Sequence, residues 1–72
     1  MKNIRIVLQD NTYVDILELD HVKATGSDKS VDFDIEHLEE LFLKEAVTYT
    51  FVGKDSTVSL CGSAIKYLLF TN

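Results

Sequence analysis

Ile4, Ile6 and Leu8 alternate with Arg5, Val7 and Gln9, the period of a strand with one buried face. Asp10-Asn11 follows and leads into Thr12-Tyr13-Val14. Two residues that tolerate positive φ between β-type runs predict a tight hairpin, with the second strand antiparallel to the first. From Tyr13 to Leu19 the alternation slips, because Ile16 and Leu17 are adjacent apolar residues between two acids. A bulge near Ile16-Leu17 restores one buried face. Val14, Leu17 and His21 also recur at helical spacing, but short length and β-branched content favour a strand over a helix here. His21-Val22-Lys23-Ala24 extends that strand or begins a short third one, and Gly26-Ser27-Asp28-Lys29 is a turn.

Val31, Phe33 and Ile35 then alternate with Asp32 and Asp34, giving a short strand or an extended lead-in to a helix. Asp34 suits an N-cap, since its carboxylate can accept from the free amides of a first turn, and Glu36, Glu39 and Glu40 follow where the helix dipole favours negative charge. The spacing predicts a helix over residues 35–45, with Ile35, Leu38, Leu41, Phe42 and Ala46 on one stripe and Glu40 paired with Lys44 one turn on. Val47, Tyr49 and Phe51 mark the next strand, with a turn at Gly53-Lys54-Asp55-Ser56. Val58 and Leu60 mark another, and after Gly62-Ser63 a last strand runs from Ala64 to Phe70.

The expected fold class is therefore α+β: a β-hairpin, a helix and a three-stranded meander, forming a single antiparallel sheet of about five strands with one helix packed on one face. On the last strand Ile65, Tyr67 and Leu69 would then point at the helix, and Ala64, Lys66, Leu68 and Phe70 away from it. Leu68 and Phe70, beside Ala64, become candidates for self-association, so a homodimer is one expected state.

At 72 residues the chain is long enough for one domain, 1–72, and its 46% hydrophobic content is too high for disorder. Cys61 is the single cysteine, which points to a reducing, cytoplasmic setting. The opening Met1-Lys2-Asn3-Ile4-Arg5 leads into an alternating segment and not an apolar run, so no signal peptide is expected. The longest apolar run, Tyr67 to Phe70, is far too short to span a membrane.

Candidate chemistry is sparse. Asp28, Asp32, Asp34 and Glu36 lack the glycine turn and terminal glutamate of an EF-hand loop. His21, His37 and Cys61 share no short ligand spacing and fall short of a four-ligand zinc set. Gly53-Lys54-Asp55-Ser56-Thr57 contains a Gly-Lys pair without the upstream glycine of a phosphate-binding loop. Arg5, Lys54 and Lys66 are too few to neutralise a nucleic-acid backbone, and the net charge of −5 opposes it. No catalytic residue, metal or cofactor is expected, and neither direct nucleic-acid nor membrane binding.

The charges are unevenly placed along the chain. Ten of the twelve acids lie between Asp15 and Glu45 against Lys23, Lys29 and Lys44, a net −7, while residues 1–14 and 46–72 each carry +1. Such a band keeps a small protein in solution, and it can also steer a partner. Glu36, Glu39 and Glu40 on one side of the expected helix, with Asp32 before them and Leu43 off the buried stripe, form a candidate docking surface for a protein partner with a basic surface. In size, charge and lack of a catalytic motif the chain is similar to small acidic phage inhibitors, among them anti-CRISPR and other anti-defence proteins. That likeness rests on no motif. The expected function is a non-enzymatic interaction protein, an inhibitor of a basic, nucleic-acid-handling partner. The alternatives are an assembly subunit that self-associates through its sheet, and a small regulatory or ligand-sensing module.

Overall fold

The first hairpin forms where the alternation places it. In the computed structural model, which describes residues 2–72, β1 (Asn3–Leu8) pairs antiparallel with β2 (Tyr13–Ile16), setting Ile4 opposite Ile16 and Ile6 opposite Val14. Asn11 takes φ 71° in the turn, a left-handed conformation that asparagine tolerates. The Asp10 carboxylate fixes the same turn by accepting the Thr12 N–H at 3.0 Å. β2 then ends at a corner and not at the expected bulge: Glu18 has φ 53°, and its N–H is satisfied by the Asn3 side-chain oxygen at 2.9 Å. The chain leaves the corner as β3 (Leu19–Thr25), with the extra residue Asp20 bulged out of register. Gly53 lets the end of β5 approach this corner, since a Cβ there would lie 2.4 Å from Ile16 Cγ2.

β3 turns at Gly26, whose N–H donates to the Lys29 carbonyl at 2.8 Å, into β4 (Ser30–Asp34). β5 (Thr48–Gly53) and β6 (Thr57–Cys61) form the next hairpin, and a 3₁₀ turn at Gly62–Ala64 leads to β7 (Ile65–Thr71). The strands form two antiparallel sheets, of order β2-β1-β7 and β4-β3-β5-β6.

This corrects the expected α+β fold with a single sheet. β7 does not complete a meander beside β6. It crosses to β1, with Phe70 opposite Ile4 and Leu68 opposite Ile6. The second sheet covers the apolar face that the helix was expected to cover. Ile4, Ile6 and Ile16 from one sheet meet Leu19, Val22, Tyr49 and Phe51 from the other, with Leu38 and Ile65 closing the core. The outer face of the larger sheet is polar, with the Thr50 and Ser59 hydroxyls bonded at 2.6 Å, as an antiparallel sheet with one solvated face should be.

The expected helix over residues 35–45 is reduced to one 3₁₀ turn, Leu38–Glu40, for three physical reasons. An eleven-residue helix is marginal unless it buries a face, and of this segment the facing sheets fully bury Leu38, with Leu41 only partly covered. Glu36, Glu39 and Glu40 would stack like charges at helical spacing. The backbone also has better partners. The Tyr49 hydroxyl accepts the Lys44 N–H and donates to the Phe42 carbonyl, and the Gly62 N–H donates to the Val47 carbonyl. No helix among the described residues is long and apolar enough to cross a membrane.

Candidate functional site

A groove of about 430 Å³ opens between the β3–β4 hairpin and the segment that replaces the helix. Val31 and Phe33 alternate inward on β4 and form one wall, while Leu41, Phe42 and Val47 form the other. Tyr49 fixes this second wall. Its ring is buried, and its hydroxyl donates to the Phe42 carbonyl at 2.5 Å and accepts the Lys44 N–H at 2.8 Å. The loop is thereby pinned by backbone, which leaves the Phe42 side chain 75% exposed at the mouth. A phenylalanine that open to water on a loop held from below is available to a partner at little ordering cost.

Beside the groove lies the most concentrated charge in the chain. Residues 32–40 carry Asp32, Asp34, Glu36, Glu39 and Glu40 with no lysine or arginine. Two acids outside this stretch have cationic partners: Arg5 Nε donates to Asp15 at 2.7 Å, which raises the Arg5 pKa and lowers that of Asp15, and Lys54 reaches Glu18 at 3.6 Å. Of the residues expected to dock a partner, the structure brings Glu40 to the groove rim, with Asp28, Lys29 and Lys44. Glu36 and Glu39 are exposed on the connection leading to it. Asp32 lies on the opposite face of β4, in register with Lys23, and Leu43 is partly exposed outside the groove lining. The expected helix face therefore does not exist as a surface, and of its acids Glu40 is the one in the groove lining.

Asp34 organises the entry to this connection. Its Oδ1 accepts the Glu36 N–H at 3.1 Å and the His37 Nδ1–H at 2.6 Å. The His37 bond holds the Asp34 carboxyl below its usual value, and the same bond, aided by Glu40 and Glu39, raises the His37 pKa. A raised imidazole contributes its stabilisation fully below the ordinary value of 6.5 and loses it as pH rises through the shifted pKa. A depressed carboxyl contributes above its ordinary 3.8 and loses its share as pH falls. The turn is therefore tightest between those two values. We expect the His37 ring, followed by NMR, to titrate above 6.5, and the Asp34→Asn variant to bring it back down; an unchanged midpoint in that variant would assign the shift to the glutamates alone.

The residues expected to flank a sheet-mediated dimer also lie elsewhere. Leu68 and Phe70 are half-buried against the core, and Ala64 ends the 3₁₀ turn with its carbonyl accepting Gln9 N–H at 3.0 Å. No group of three or more metal-ligating side chains occurs among the described residues. His21 bonds Asp20 and His37 bonds Asp34, each at the surface. The Cys61 thiol donates to the Glu45 carbonyl at 3.0 Å and accepts the Ser63 hydroxyl at 3.4 Å, which lowers its pKa. No protein family, curated protein or solved structure matches the chain. The reading of its function thus stands on the groove and its charges. Sequence reasoning missed Val31, Phe33 and Phe42 as a surface because they alternate or recur like core residues. The signal that could have found Phe42 is its place beside Leu41 and Leu43, a run with more apolar side chains than one buried stripe can take.

Proposed function

We propose that the protein is a non-catalytic interaction module that docks a basic segment of a partner protein, seating the partner's apolar side chains in the groove beside Phe42. The observation that carries this reading is an open apolar groove with Glu40 on its rim and with Glu36 and Glu39 exposed on the connection that leads to it. The apolar contact holds the complex and the charge hastens encounter. β4 adds a further element, because it is an edge strand with no neighbour on its outer side among the described residues. Asp32 and Asp34 discourage that edge from pairing with another acidic strand, while a basic strand meets attraction there. Basic surfaces of this kind are how proteins hold nucleic acid, so the sharpest form of the proposal is an inhibitor that covers such a surface. The lone exposed thiol of Cys61 fits a reducing, cytoplasmic setting.

The test is an NMR titration with an extended peptide alternating lysine and leucine, run against its glutamate–leucine counterpart. The lysine peptide should shift the amides of Val31, Phe33 and Phe42, and the glutamate peptide should not. Added salt should weaken the binding, and reversing Glu39 and Glu40 together to lysine should weaken it about tenfold. Both side chains are exposed, so the fold should survive. Equal binding of the two peptides, or full affinity in the reversed variant, would overturn the reading.

A further inference from the structure

The outer face of the smaller sheet is built from cross-strand rows. Tyr13, Val7 and Tyr67 lie in register across β2, β1 and β7, and Asp15, Arg5 and Leu69 form the next row. Tyr13, Tyr67 and Leu69 are 55%, 51% and 47% exposed, and Leu17, 66% exposed, borders the same face beside Arg5 and Leu69. This sheet face and its border thus carry four large apolar or aromatic side chains in water, more than scattered surface apolars account for. It shares no residue with the groove.

Its charge identifies the occupant. Arg5 donates to both Asp15 oxygens, at 2.7 and 3.0 Å, and its guanidinium lies 4.1 Å over the Tyr13 ring. Each charge on the face is thus already answered within the face, and the pair is flat against an aromatic surface. A basic partner finds no free acid there, and a phosphate backbone finds no free cation. The molecule as a whole carries −5, so two copies repel one another across most orientations. This neutral, apolar face is where that repulsion is weakest. We infer that the outer face of the β2-β1-β7 sheet is a self-association surface, occupied by a second copy of this chain in an isologous dimer. β1 and β7 are about 20 Å long and β2 about 13 Å, and at about 4.8 Å spacing they give a contact of roughly 300 Å² per copy, smaller than a standard interface. The dimer should accordingly be weak and readily dissociating, with a dissociation constant on the order of tens of micromolar or higher.

Sedimentation equilibrium from micromolar to millimolar protein tests this. The weight-average mass should rise from monomer to dimer, and Leu69→Glu should weaken association about tenfold or more by placing an unpaired charge in both halves of the contact. Should that strand substitution disturb folding, as judged by circular dichroism, Leu17→Glu lies outside the strands and should act alike. Added salt should strengthen the dimer by screening the net charge, the opposite of its effect on the groove, and Phe42→Ser should leave the dimer unchanged. These two arms separate failure here from failure of the groove reading. A monomer mass at every concentration would overturn the inference, as would a dimer indifferent to both glutamates.

Discussion

Replacing Gly62 by alanine should cost this protein about 3 kcal/mol, enough to lower its melting temperature by more than about 10 °C. A Cβ at this position would stand 1.9 Å from the Lys44 carbonyl oxygen and 3.1 Å from the Tyr49 ring. Neither can give way easily. The Lys44 peptide is held by its N–H on the Tyr49 hydroxyl, and Gly62 is itself tied by its N–H to the Val47 carbonyl at 2.8 Å. Both restraints belong to the crossing point where the groove-lining loop passes over the 3₁₀ turn between β6 and β7. Relief therefore requires moving the loop or the turn, and with it the handover of the chain from one sheet to the other. Gly26 is the control, because a Cβ there meets nothing closer than the Lys29 carbonyl oxygen at 3.7 Å and no glycine has positive φ. Gly26→Ala should be neutral or slightly stabilising, through the lower entropy of the unfolded chain. Thermal unfolding of the two variants checks both, and equal melting temperatures would show that the crossing is not rigid.

The same crossing explains how far the sequence could be read. Local alternation located β1, β2, the turns at Asn11 and Gly26, and the β5–β6 hairpin, because each depends on neighbours within a few residues. The partner of β7 depends on a choice that its own sequence leaves open. Tyr67-Leu68-Leu69-Phe70 is apolar at both phases, so period two does not say which set is inside. The structure decides it with a bulge: Leu8 faces Ile65 while Val7 faces Tyr67, so Lys66 is an extra residue and the phase flips. Ile65 is buried, and Tyr67 and Leu69, two positions apart along the same nominal face, are exposed. That single bulge turned Leu68 and Phe70 inward and created the tyrosine-bearing outer face. The segment from Ile35 to Ala46 misled for a different reason. Its helical stripe was real as a pattern, but a stripe specifies a helix only where a cavity exists to receive it, and the second sheet had filled the core with Tyr49 and Phe51. Of the candidate site, the acids were legible as a local excess of charge. The groove was not, since its walls come from segments whose packing is set by tertiary closure.

Leu38→Ala should destabilise the protein by about 2–5 kcal/mol although the residue sits in an isolated 3₁₀ turn and not in a helix. Its side chain is 4% exposed and belongs to the same buried cluster as Ile4, Val22 and Phe51. It is the one fully buried anchor between β4 and β5, so the connection holding Glu36, Glu39, Glu40 and the Phe42 wall hangs on it and on the Tyr49 hydroxyl. Truncation leaves a cavity that backbone on both sides prevents from collapsing, and it also loosens the groove. Glu40→Ala, two residues away and exposed, should stay within about 0.5 kcal/mol. Phe42→Ser should likewise leave stability near that of the unchanged protein, since its ring is mostly in water, while abolishing peptide binding at the groove. Chemical denaturation measures the first pair, and the lysine–leucine peptide titration distinguishes the third. Leu38→Ala should lose stability and binding together, Glu40→Ala should lose a modest part of binding alone, and Phe42→Ser should lose binding with the fold intact. Equal stability losses for Leu38→Ala and Glu40→Ala would mean that the connection is not anchored through the core, and the groove could not then be the preformed surface on which docking depends.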